Sequence, residues 1–316
     1  MTSGGRAGTV AGPSVAAPSR PKSQAPRPTG AAARTTPSYP ITPAPRRAPS
    51  WASGVAPASD EAGEKKHAAQ VRATRKSGVS AAAVTLAPKT WDDLKPTSEV
   101  ETALRGSLKH KVIRAPLLPE RKATFVACAK GDYRAQWERF GRALSAAGID
   151  SATLDLGRTD MGGDTDPEAF AGCYRQVAAA VRGVLPRARL QWTVERGSAT
   201  TVSPSDAVAA WPGDGVVDIL GIEALDTGDN WSKTVNGEGG LNWWSDFATS
   251  HGARVALAGW GPAPGSRASA ENAAYVQNMH DWLTRVAARG NLAYDLYTEH
   301  SGSRAGKAAD VYRALF

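Results

Sequence analysis

From Trp51 to Phe316, short apolar runs alternate with longer amphipathic stretches. The short runs cover residues 51–55, 81–86, 111–115, 151–156, 190–194, 216–224, 253–258 and 291–297. Runs of this length bounded by polar or glycine-rich segments are read as buried strands. Between them, amphipathic patterns predict helices over 59–75, 99–108, 133–147, 166–185, 241–251, 268–289 and 306–315. The stretch from Asp166 carries an acidic cap region, then Phe170, Cys173, Tyr174 and Val177 at i, i+3, i+4 and i+7. Gly148, Gly252 and Gly290 each stand where a left-handed residue ends a helix. Strands that alternate with helices pair in parallel through right-handed crossovers. Eight such units predict an α/β fold of the (β/α)8 TIM-barrel class over residues 50–316.

Residues 1–49 break this rhythm. They hold 10 of the 21 prolines, and residues 1–50 contain seven Arg or Lys and no Asp or Glu. Such a segment offers little apolar area to bury, and it reads as a disordered linker or tail. It also explains the net charge of +8, since the remaining chain is left with +1. A basic tail before a near-neutral domain argues against a nucleic-acid groove. No run of about 18 apolar residues exists to form a membrane span.

Cys128 and Cys173 fall in consecutive β/α units, as buried thiols or as one disulfide. Neither they nor the five histidines show metal-ligand spacing, so neither metal nor cofactor is expected. A disulfide would imply export, yet residues 1–22 lack the apolar core of a secretory signal.

In a barrel of this class the chemistry sits where strands end. Those ends are 157–163, 195–197, 223–226, 259–261 and 298–300, rich in Asp, Glu, Gly and Thr. Trp231, Trp243, Trp244 and Trp260 lie in or near them. Aromatic faces stack on sugar C–H faces while carboxylates take hydroxyls. Trp231, Trp244, Trp260, Glu195 and Asp226 are therefore the candidate substrate contacts.

Several segments together resemble glycoside hydrolase family 26, best known for endo-β-mannanases. They include residues 51–55 (TrpAlaSerGlyVal), 131–137 (GlyAspTyrArgAlaGlnTrp), 211–214 (TrpProGlyAsp), 217–223 (ValAspIleLeuGlyIleGlu) and 279–282 (MetHisAspTrp). The resemblance implies a secreted or envelope-associated monomer acting on β-linked polysaccharide. It also marks three departures. The family's fourth strand ends in a Gly-x-Glu-x-Asn-Gly-like run with the acid/base glutamate, and Thr159 stands at that place. Its seventh strand ends in Glu-Trp-Gly with the nucleophile, and this chain has Gly259-Trp260-Gly261. Its sixth strand places a tyrosine where Leu225 stands.

Retaining glycosidases need two carboxylates about 5 Å apart. Threonine and glycine cannot serve. One reading is a catalytically degenerate barrel that binds mannan-like polysaccharide. The alternative is an active glycosidase using relocated carboxylates, Asp160 and Glu223. A third is an anionic-polymer binder led by the basic tail. Removal of residues 1–49 is expected to leave the melting temperature of the remainder unchanged. A drop of several degrees would show that the tail packs on the barrel.

Overall fold

The structure is a computed structural model that describes residues 49–56, 75, 77–104, 108–119, 121–157, 165–196, 202–298 and 306–316. Eight strands, β1 (Ala52–Val55), β2 (Ala81–Thr85), β3 (His110–Ala115), β4 (Thr153–Leu156), β5 (Arg189–Glu195), β6 (Ile219–Asp226), β7 (Arg254–Pro262) and β8 (Leu292–Tyr297), close into one barrel. Each pairs in parallel with its neighbour in chain order, and β8 returns to β1. This is the (β/α)8 TIM barrel that the alternating pattern predicts.

Every strand is buried on both faces, which is why the runs read as apolar rather than alternating. The outer faces carry large residues: Leu154 and Leu156, Leu190 and Trp192, Leu220 and Ile222, Val255 and Leu257 pack in the layer shared with the helices. A second cluster towards the lumen is rich in alanine, Ala81, Ala83, Ala256 and Ala293, beside Val112, Ile219, Tyr294 and Leu296. Small lumen residues leave room there for a few large polar side chains.

Ten helices are found among the described residues. They are α1 (Ser98–Leu104), α2 (Phe125–Ala129), α3 (Arg134–Ala146), α4 (Pro167–Val184), α5 (Pro204–Ala209), α6 (Trp231–Asn236), α7 (Leu241–Ser250), α8 (Arg267–Ala270), α9 (Ala273–Ala288) and α10 (Lys307–Leu315). The Asp166 carboxylate accepts from the Glu168 N–H and starts α4, whose buried face holds Phe170, Cys173, Tyr174, Val177 and Val181. The helix expected over 268–289 is two. The Asn272 side chain accepts from the Tyr275 N–H, so a new helix begins there. The short helices α2, α5 and α6 escape the periodicity because they last only five or six residues. Each begins at a capping side chain, Thr124, Ser203 or Asn230. The helix expected over 59–75 lies outside the described residues apart from Arg75.

Cys128 in α2 and Cys173 in α4 form a disulfide with Cα atoms 4.7 Å apart. A five-residue helix cannot hold itself together in water, so the bridge fixes α2 against α4. It closes a loop across a sequence separation of 45 residues. Replacing both cysteines with serine is expected to lower stability by about 3–4 kcal/mol. Chemical denaturation checks this, and an unchanged midpoint would mean that packing alone seats α2.

Candidate functional site at the barrel mouth

The lumen is filled by one chain of polar contacts. Tyr294 of β8 donates its hydroxyl to Gln191 Oε1 at 2.7 Å. Gln191 Nε2 donates to Thr193 Oγ1 at 2.9 Å, and that hydroxyl donates to Asp155 Oδ1 at 2.6 Å. Asp155 Oδ2 faces Arg114 Nε at 3.6 Å, and Arg114 Nη2 reaches across to the Ala258 carbonyl of β7. Asp155 and Gln191 are fully buried, and Arg114 nearly so. The chain passes over Gly221, where a Cβ would strike Thr193 Oγ1 and lie 2.6 Å from Gln191 Nε2. Glycine is therefore required at 221 for the network to cross from β5 towards β8.

Above this floor the strands end. Glu195 of β5 lies in register with Glu223 of β6, and Glu223 with Gly259 of β7. Neighbouring strands are about 4.8 Å apart, so two carboxylates stand side by side at the mouth. Glu195 is exposed and Glu223 half-buried. Glu223 Oε1 lies 3.3 Å from the position a Gly259 Cβ would take, and Thr298 Oγ1 lies at the same distance. A carboxylate from the adjacent strand and a hydroxyl from β8 thus border the space that a side chain at 259 would enter.

Beside the mouth, Arg196 is buried. Its N–H donates to the Glu223 carbonyl at 2.8 Å, and its guanidinium pairs with Asp229 at 3.5 Å. Lys233 also holds Asp229, at 2.9 Å, and this hydrogen bond leads the causes that keep the carboxyl below its usual range. Asp226 is buried and accepts from the Gly228 N–H and from Asn272 Nδ2. It thus ties the β6–α6 loop to the start of α9. Trp231, the first residue of α6, is half-buried, its ring edge-on to Tyr275 with centroids 6.0 Å apart. Tyr275 in turn donates to the Ala224 carbonyl at 2.6 Å, anchoring Trp231 to the end of β6.

Two of the candidate tryptophans are core. Trp260 points outward from β7, fully buried against Tyr297, Tyr312 and Phe316. Its Nε1 donates to Asp295 Oδ2 at 2.7 Å, and Trp51 donates to Oδ1 of the same carboxylate at 2.7 Å. Burial pushes the Asp295 carboxyl above its usual range. Trp244 is buried in α7 against Trp192 and Trp243. Neither ring offers a face to a sugar, which corrects the reading from sequence position alone. Thr159 and Asp160 lie outside the described residues. The structure brings Glu195, Glu223 and Gly259 together and places Trp231 beside the end of β6. Sequence reasoning misses Arg114 and Asp155, and names Thr298 only within the strand end 298–300. The signal available for the first two was a charge at a lumen-facing position of an otherwise apolar strand.

No protein-family model matches the chain, and no curated protein matches its sequence. Solved structures match its fold. A ruminal family 26 endo-β-1,4-mannanase aligns with a TM-score of 0.58 at 11% identity, over 84% of this chain and 62% of that one. A β-mannanase from a symbiotic protist of the termite Reticulitermes speratus, complexed with a gluco-manno-oligosaccharide, aligns at 0.54 and 11% identity over 84% and 86%. The family 26 domain of an endo-β-mannanase/endo-β-glucanase from Prevotella bryantii aligns at 0.52 and 12% identity over 84% and 88%. The chain thus spans less than two thirds of the ruminal enzyme, and at these identities the likeness is one of fold.

Removing one member of the lumen ion pair is expected to be severe. Asp155→Ala leaves the Arg114 guanidinium buried and uncompensated, a loss of about 3–5 kcal/mol. The double replacement Arg114→Met with Asp155→Leu is expected to recover much of it. Urea denaturation of the three proteins measures both.

Proposed function

We propose that the mouth of the barrel binds β-linked polysaccharide of the mannan type without hydrolysing it by the acid/base and nucleophile pair of strands four and seven. The observation that carries this reading is Gly259. The end of β7 presents no carboxylate, while the rest of the mouth keeps groups suited to sugar hydroxyls, namely Glu195, Glu223 and Thr298. Trp231 supplies the aromatic face at the rim. Fold alone does not give function, and the support comes from these side chains. The Cys128–Cys173 bridge fits an oxidising, extracellular or envelope setting.

A second reading keeps hydrolysis through relocated carboxylates, Glu223 with Asp160. The proximity of Glu223 Oε1 to the Gly259 position favours Glu223 as one of the two. Its in-register neighbour Glu195 is a further candidate partner, since retaining chemistry uses carboxyls about 5 Å apart.

Isothermal titration with soluble galactomannan or manno-oligosaccharides is expected to show binding, weakened about tenfold in Trp231→Ala by loss of the stacking face. A reducing-sugar assay on the same polymers is expected to show none released. Turnover abolished by Glu223→Gln would replace the binding reading with the hydrolytic one, and absence of binding to any β-glycan would remove both.

Restoring a nucleophile tests the mouth directly. Gly259→Glu places a second carboxylate against Glu223, and like charges this close raise the pKa of one of them. Glycosyl-enzyme formation on an activated aryl β-mannoside is therefore expected to be stronger in Gly259→Glu with Glu223→Gln than in Gly259→Glu alone. Thr159→Glu added to either is expected to matter on natural polysaccharide, where the leaving group needs an acid.

A further inference from the structure

The opposite end of the barrel carries a different chemistry. Along β3 the lumen-facing positions are His110, Val112 and Arg114; along β5 they are Arg189, Gln191 and Thr193; β7 contributes Arg254 and Ala256. Val112 lies beside Thr153 and Thr153 beside Arg189, while Gln191 lies beside Ile219 and Ile219 beside Arg254. In a barrel with tilted strands, alternate strands supply each layer of four side chains. Following the register two residues upward for every two strands brings Ala52, His110, Arg189 and Arg254 into one layer, the first at the N-terminal mouth. Three of its four members are basic types.

Among the described residues, none of the three has an acidic partner. His110 is buried, its Nε2 2.8 Å from Thr153 Oγ1 and its ring centroid 4.5 Å from that of Tyr294. Burial first, then the two arginines, holds its pKa down to about 3, so it remains a neutral hydrogen-bonding ring. Arg254 donates through Nη2 to the Leu292 carbonyl, and among the described residues its other N–H groups are left for solvent or a ligand. Both arginines reach solvent. Among the described residues, two carboxylates near this end, Asp218 and Asp150, are committed elsewhere. Asp218 accepts from Arg182 at 2.9 Å and from the Leu190 N–H at 2.7 Å, and Asp150 pairs with Arg187 at 3.0 Å. The chain also enters the barrel on this face, and the preceding residues 1–48 hold seven basic side chains and no acidic one. Nothing in that segment supplies a counter-charge.

We propose that Arg189 and Arg254 at the N-terminal mouth form a site for a tetrahedral oxyanion of the phosphate class, with His110 closing it from the lumen side. Guanidinium groups present several N–H donors in a fixed fork suited to such an anion. Two of them brought into one layer without a carboxylate repel each other, and an anion between them relieves that repulsion. The site is on the opposite face from the polysaccharide mouth and stands or falls independently of it. The phosphate group can be a free ion or part of a polymer, and the two sources are separable.

The test is thermal unfolding of the full chain in inorganic phosphate, in short-chain polyphosphate and in sodium chloride at matched ionic strength. Phosphate or polyphosphate is expected to raise the melting temperature above chloride in a saturable manner, as ligand linkage requires. Arg189→Gln, at an exposed position, is expected to raise the half-saturating concentration by about tenfold, the loss of a charge-assisted hydrogen bond. Arg142→Gln, an exposed arginine of α3, is expected to leave it unchanged. A response to inorganic phosphate assigns a free ion, and a response to polyphosphate alone assigns a polymer-borne group. Equal melting temperatures in all three salts overturn the site, as does a shift that Arg189→Gln and Arg142→Gln affect equally.

Discussion

The ion pair between Arg114 and Asp155 governs what the rest of the barrel can be. Both groups sit inside the lumen, where an isolated charge is strongly unfavourable. The structure compensates by extending the pair into a hydrogen-bonded chain through Thr193, Gln191 and Tyr294 and by aiming Arg114 at the Ala258 carbonyl. That chain links β3, β4, β5, β7 and β8, so it fixes the relative heights of five strands. It also dictates small neighbours: Gly221 is forced by Thr193 and Gln191, and the alanines along β2 and β7 leave the volume the polar groups fill. Networks of this kind specify one arrangement because a half-satisfied alternative is costly.

Outside the lumen the same logic recurs with one carboxylate. Asp295 is buried, and its oxygens take the indole N–H groups of Trp51 and Trp260. Trp51 immediately precedes β1, and Trp260 lies in β7, so Asp295 on β8 clamps both of its neighbours at the seam where the barrel closes. The aromatic stack of Tyr297 on Tyr312, 3.7 Å between centroids, then seats α10 over that seam. A tryptophan that looks like a cleft residue by its place at a strand end is here the hydrogen-bond donor that closes the barrel.

This distinction shows what the sequence makes legible. All eight strands are readable, because a strand buried on both faces leaves a continuous apolar run whose length alone separates it from a helix. The long helices α3, α4 and α9 are readable through their stripes and caps. The short helices are not, since five or six residues span fewer than two turns and leave no repeating stripe. The mouth is legible in part. Glu195, Glu223 and Gly259 are singled out because strand ends are where chemistry lies in this fold, and the register sets the three side by side. The orientation of Trp260 is not, because one residue of alternation decides between lumen and outer layer, and β7 carries register irregularities in that stretch. Trp244 fails for a related reason. A residue near a loop in sequence belongs to the buried stripe of α7 in space. Arg114 and Asp155 fail because a buried pair needs both partners identified at once, and they lie on different strands.

Charge illustrates the limit most directly. After the basic segment is set aside, the chain carries a formal charge of +1, a value that suggests no field at all. Strand register nonetheless sorts some of these charges by height along the barrel. Glu195 and Glu223 stand at the C-terminal mouth, and Arg189 and Arg254 at the N-terminal one. The neutral lumen pair of Arg114 and Asp155 lies between them. Composition sums over the chain, whereas strand register sorts charges by height along one axis. A ligand meets only one end of that axis. On the proposal above, an anion is drawn to Arg189 and Arg254, whereas a neutral glycan is indifferent to charge and responds to hydroxyl-binding groups instead. The parallel strands, by setting every chain direction alike, turn a property of register into two chemically distinct surfaces on one small barrel.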